Sequence, residues 1–141
     1  MESGEKILMV EDHGDSAEVL SLMLAKKGYA VHVARDAAEG LAAAGAEKFD
    51  LLVCDMLLPD RDGWDLCREL AESTGLKSIA LTAQGYPADL ARSRDAGCLR
   101  HLTKPVSFDV LLATIKEVLE QGDAAVQRIA VPVRGDGEDE R

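Results

Sequence analysis

"LLVCD", residues 51–55, is a run of four apolar residues that ends on a carboxylate, and Pro59 stands four positions further on. The run is too short for a helix and has no polar alternation, which is the pattern of a strand buried on both faces. Parallel strands covered by helices read this way. On either side, short apolar runs recur at "KILMV" (6–10), "AVHVA" (30–34), "IALT" (79–82) and "LRHLT" (99–103).

Segments with helical spacing separate these runs. Val19, Leu20, Met23 and Leu24 share one face, followed by "KKG" with Gly28 as the stop. A second, alanine-rich segment runs from Asp36 to Ala46, and Asp36 with Glu39 forms a capping-box pattern. A third carries Leu66, Cys67 and Leu70. The last sets Phe108, Leu111, Leu112, Ile115 and Leu119 on one stripe behind Ser107, an expected N-cap. The segment "YPADLARSRDAG" (86–97) has few apolar anchors beyond Leu90, so it reads as a weakly held surface helix.

Strands alternating with helices specify an α/β fold, a parallel sheet wound on both faces. Runs 6–10, 51–54 and 79–82 are almost wholly apolar and belong at the centre. Runs 30–34 and 99–103 admit His32, Arg100 and His101 and belong at the edges. The flavodoxin-like, doubly wound five-stranded order 2-1-3-4-5, with five helices, satisfies this pattern. Ligands bind such sheets beyond the carboxyl ends of the strands, near the switch point between the first and third strands.

At that edge the first strand delivers Glu11 and Asp12, the third Asp55, the fourth Thr82 and the fifth Lys104, followed by Pro105. Two carboxylates about 4 Å apart repel by roughly 1–4 kcal/mol at surface-like dielectric. A hard divalent cation relieves the crowding, and an all-oxygen, partly hydrated site suits Mg²⁺ better than zinc. Metal, ammonium and hydroxyl together serve a transferring phosphoryl group, and the carboxylate of Asp55 is the nucleophile best placed to accept it.

Taken in order, "VED" (10–12), "CDMLLPDRDG" (54–63), "LTA" (81–83) and "TKP" (103–105) resemble the signature positions of the response-regulator receiver domain of two-component signalling. The resemblance covers residues 5–121. It implies that Asp55 is the phosphoacceptor, that Asp12 ligates Mg²⁺ directly, that Glu11 acts through water, and that the Leu57 carbonyl completes the protein ligands. Thr82 and Lys104 would bind the phosphoryl oxygens, with a cis Lys104–Pro105 bond holding the lysine. Such a domain catalyses only its own phosphorylation and dephosphorylation and is not an enzyme in the usual sense. Its donor is a histidine kinase or histidine phosphotransfer protein. The reading surface is helix four, strand five and helix five, which contacts a downstream protein or, on phosphorylation, a second copy.

The chain departs from the family pattern in places. Glu11 stands for the commoner Asp, and His101 stands where the family carries an aromatic switch residue. Leu57 and Gln84 occupy the positions that govern phosphoryl lifetime. An apolar Leu57 cannot orient water, so Gln84 is expected to control hydrolysis. His13, His32 and His101 fall on different elements, which argues against a histidine metal cluster, and Trp64 and Phe108 read as packing residues.

The 141 residues fit one domain, residues 5–121, with a C-terminal extension over 122–141 that ends in the acidic "RGDGEDER". The apolar "AAVQRIAVPV" (124–133) is expected to dock on the domain or on a partner, and the remainder is too short for a DNA-binding module. This leaves a stand-alone regulator or a receiver excised from a hybrid histidine kinase. A net charge of −10 disfavours direct nucleic-acid and membrane contact. Three cysteines without CxxC spacing and the lack of a signal-like run fit a cytoplasmic protein. Of the rival functions, a haloacid-dehalogenase-type phosphohydrolase needs an acid where Leu57 stands. An unphosphorylated receiver-like binding module would lack an acid or the lysine, and none is missing. A dinucleotide site lacks its G-x-G-x-x-G.

Overall fold

The structure, a computed structural model, describes residues 4–83 and 85–120. Five strands, β1 (Lys6–Val10), β2 (Ala30–Ala34), β3 (Leu51–Asp55), β4 (Ser78–Thr82) and β5 (Arg100–Thr103), alternate with five helices. The helices are α1 (Gly14–Lys26), α2 (Ala37–Ala46), α3 (Gly63–Thr74), α4 (Pro87–Asp95) and α5 (Phe108–Glu120). All pairings are parallel and the order is β2-β1-β3-β4-β5. The flavodoxin-like order expected from the strand compositions is the one observed, with the His32 and Arg100 strands at the edges. The 122–141 extension, including 124–133, lies outside the described residues.

The three central strands are apolar almost throughout because successive side chains feed two cores. Leu8, Val10, Leu52, Cys54 and Ala80 pack with Leu66, Cys67 and Leu70 of α3 and the small residues of α2 on one face. Ile7, Met9, Leu51, Val53, Ile79 and Leu81 pack with Ala17 and Leu24 of α1 and Leu111, Ile115 and Val118 of α5 on the other. Cys54, Cys67 and Cys98 are buried free thiols.

Helix ends follow the local chemistry. The Asp36 carboxylate caps Glu39 N at 2.8 Å, while Glu39 reaches back to Arg35 N at 2.9 Å. Asp62 caps α3 through Asp65 N at 2.8 Å, and Ser107 Oγ accepts from Val110 N at 3.1 Å. In α1 the buried row is narrower than the apolar stripe: Ala17 and Leu24 are buried, whereas Val19 and Met23 are exposed. Among the described residues, no helix is long and apolar enough to cross a membrane.

At Gly63 the close approach of α3 to the end of β3 decides the residue type. A Cβ there would meet the Asp55 carbonyl oxygen and stand 2.8 Å from Met56 Cα. Gly63 N donates to Met56 O at 2.8 Å, so the turn that follows Asp55 closes directly into α3.

Candidate functional site

β1 and β3 end side by side, β5 ends one strand further on beyond β4, and the residues at these three ends converge. Lys104 Nζ lies 3.0 Å from Glu11 Oε1 and 3.1 Å from Asp55 Oδ2, one ammonium bridging two carboxylates. Both acids are buried, Glu11 at 2% and Asp55 at 3% exposure. Backbone bonds fix the strand ends: Glu11 N donates to Ala34 O at 3.0 Å, Met56 N to Leu81 O at 2.9 Å, and Lys104 N to Thr82 O at 2.7 Å. The Lys104–Pro105 peptide is cis.

The two acids titrate differently. Burial raises the Glu11 carboxyl, but hydrogen bonds from Lys104 and His13 outweigh it and leave the group below its ordinary value. At Asp55 burial dominates; the Leu57 N–H (3.1 Å to Oδ1) and Lys104 oppose it, the Glu11 charge adds to it, and the carboxyl stays raised. Burial lowers the Lys104 ammonium, yet its bonds to Glu11 and Asp55 prevail and raise it. The site therefore holds Lys104 protonated and leaves Asp55 as the carboxylate whose charge is least well compensated.

Thr82 is buried at the end of β4, one residue beyond the Asp55–Leu81 register pair. Asp12 is exposed, in the bend between β1 and α1, while Glu11 before it is buried. Leu57 contributes its backbone N–H, with its side chain 70% exposed. Gln84 lies outside the described residues. His101, half-buried on β5, places Nδ1 2.8 Å from Ser93 Oγ.

Two features were not found from the sequence. His13, the N-cap residue of α1, has Nδ1 3.0 Å and its backbone N 3.1 Å from Glu11 Oε2. Glu11, His13 and Asp55 together present donor atoms within 4.8 Å of one another, close to the ~4.4 Å that separates opposite ligands of one small divalent ion. His13 directly follows the acidic pair, a position that could have drawn notice. The second feature is a chain from Trp64 Nε1–H to Ser93 Oγ at 2.9 Å and on to His101. Arg92 lies 3.9 Å over the Trp64 ring and 3.2 Å from the Asp62 carboxylate. Among the described residues of α4, Ser93 is the buried one.

The profile of the response regulator receiver domain family matches residues 7–116. The transcriptional regulatory protein HprR of Escherichia coli K12 is 34% identical over 119 residues, 84% of this chain and 53% of that protein. The transcriptional regulatory protein CusR of the same strain is 33% identical over 122 residues, 86% of this chain and 54% of its own. The chain thus spans about half the length of these curated relatives. A CheY-like receiver domain protein from Methanospirillum hungatei JF-1 superposes with a TM-score of 0.79 at 34% identity, covering 84% of this chain and 95% of that one. The signal receiver domain of a signal transduction histidine kinase from Syntrophus aciditrophicus gives 0.76 at 33% identity, covering 84% and 92%.

Proposed function

The chain belongs to the response-regulator receiver family, and on that premise we propose that it is a phosphorylation switch with Asp55 as the phosphoacceptor. The observation that supports this best is the buried Asp55 held between the Lys104 ammonium at 3.1 Å and the Leu57 N–H at 3.1 Å. An Asp55 carboxylate oxygen attacks phosphorus of a phosphohistidine; the new P–O bond forms as the P–N bond breaks, and its electron pair leaves with the imidazole. The transferred group brings a charge of about −1.5 to −2, and Lys104 and the Thr82 hydroxyl are the donors at the neighbouring strand ends.

The donor set fits a divalent cation such as Mg²⁺: carboxylates from two strand ends converge beside the Leu57 backbone, and Asp12 follows Glu11 in the chain. When bound, the ion would neutralise phosphoryl oxygens. Glu11, Asp55, the Leu57 carbonyl and, after rotation inward, Asp12 are the groups that would hold it. Lys104, in contact with both acids, orients the incoming phosphoryl from the end of β5.

Upstream, the donor is a histidine kinase or histidine phosphotransfer protein. Both a transcriptional regulator and a histidine kinase occur among the similar proteins, so the same switch serves either architecture. Downstream, drawing Thr82 toward the phosphoryl frees room for His101 and biases the α4–β5–α5 face toward a protein partner or a second copy. Intact-mass measurement after incubation with an acyl phosphate and Mg²⁺ tests the assignment. Wild type gains one phosphoryl mass and Asp55→Asn gains none; an adduct on both, or on neither, refutes it.

A further inference from the structure

We propose that His13 is a nitrogen ligand of the cation site and tunes it toward first-row transition ions such as Mn²⁺ over Mg²⁺. The inference rests on the functional reading above and concerns which ion that site selects. His13 Nδ1–H donates to Glu11 Oε2 at 3.0 Å; with the imidazole proton on Nε2 instead, the same two atoms have the spacing of neighbouring ligands on one ion of bond length about 2.1 Å. With Asp55, its donor atoms span no more than 4.8 Å. The imidazole is placed by the backbone rather than by chance contact: His13 is the N-cap of α1, and its N–H is bonded to the same Glu11 oxygen.

The surroundings suit entry of an ion. Glu11, His13 and Lys104 line one groove of about 690 Å³ with Asp15, Ser16 and Val19 of α1, so Glu11 and the imidazole are reached from solvent on that side. The Lys104 ammonium reaches the two carboxylates from β5, 3.0 Å from Glu11 Oε1, 3.2 Å from Glu11 Oε2 and 3.1 Å from Asp55 Oδ2. Mg²⁺ demands oxygen ligands and sheds water reluctantly, so an imidazole adds little to its affinity. Transition ions accept imidazole nitrogen readily, and one such donor steepens discrimination among otherwise similar divalent ions.

The test titrates the full chain with MgCl₂ and MnCl₂ separately by calorimetry and records electron spin-echo modulation of the bound Mn²⁺. His13→Asn is the variant, since Asn is a good N-cap and keeps α1 intact while exchanging nitrogen for oxygen. Wild type is expected to show a ¹⁴N coupling on Mn²⁺ that His13→Asn lacks. The variant is expected to lose about tenfold in Mn²⁺ affinity and less than about twofold for Mg²⁺. Equal shifts for the two ions, no shift for either, or a ¹⁴N coupling that is absent from wild type or persists in the variant overturns the inference. If both ions bind, are lost together in Asp55→Asn and are untouched in His13→Asn, this inference fails while the phosphoacceptor reading stands. If neither ion binds wild type, both fail.

Discussion

Replacing Ser93 by alanine probes how α4 is held to the domain. The Ser93 hydroxyl accepts from the buried Trp64 indole at 2.9 Å and bonds His101 Nδ1 at 2.8 Å. Removing it leaves the Trp64 N–H, in a residue 7% exposed, without the acceptor the fold provides. A stranded buried donor costs about 1–3 kcal/mol, and a lost bond to His101 adds up to about 1 kcal/mol. A net destabilisation of ~2 kcal/mol is expected. With an m-value of about 2 kcal/mol/M, the urea midpoint followed by far-ultraviolet circular dichroism should fall by about 1 M. Deletion of any buried group would lower the midpoint somewhat, so the decisive measurement is a double-mutant cycle with Trp64→Phe. That background has no indole N–H to strand, and the cost of Ser93→Ala should shrink by about 1 kcal/mol. If the two changes add within about 0.5 kcal/mol, the bridge does not hold α4.

Three further outcomes follow from the site. Lys104→Met should destabilise the fold at neutral pH by about 1–3 kcal/mol, because Glu11 and Asp55 lose their shared cation. Without the lysine both folded-state carboxyls rise above their unfolded values, so the deficit should close as pH falls through them; a deficit that is constant with pH would be contrary. Asp55→Asn should raise the urea midpoint at pH 7, because burial holds the Asp55 carboxyl above its ordinary 3.8 and its charged form weakens the fold there. This gain is full above the raised folded value and vanishes below the unfolded one, which a pH series of unfolding curves checks. Gly63→Ala should cost about 1–3 kcal/mol in thermal or urea unfolding, since its methyl would press on the Asp55 carbonyl and the Met56 backbone.

Much of this molecule can be read without coordinates because its strands declare their position. "LLVCD" is apolar on both parities and so is central, while His32 and Arg100 mark the edges, and the order of five strands follows. Asp55, Glu11 and Lys104 are legible for the same reason: each ends a strand, and parallel strands bring their carboxyl ends together. Side-chain direction is less legible. Nothing in "VED" says that Glu11 is buried while Asp12 faces water, since that depends on the bend at Asp12 between β1 and α1. The apolar stripe of α1 overstates its buried row because Ala17, too small to stand out in a pattern, takes the inner place of Val19. The Trp64–Ser93–His101 chain is not legible at all: its ends come from different elements and meet only once α3, α4 and β5 are packed.

That chain gives the proposed switch an unusual thermal character. A helix seated by an apolar stripe must expose hydrocarbon to water whenever it shifts, and the heat capacity rises with it. Here α4 is seated by a serine, with Leu90 and Ala91 only half-buried. Moving it exchanges hydrogen bonds and wets little oily surface. Its rearrangement should therefore leave almost no heat-capacity signature, so its enthalpy should stay constant and the logarithm of the balance between its two positions should run straight against inverse temperature.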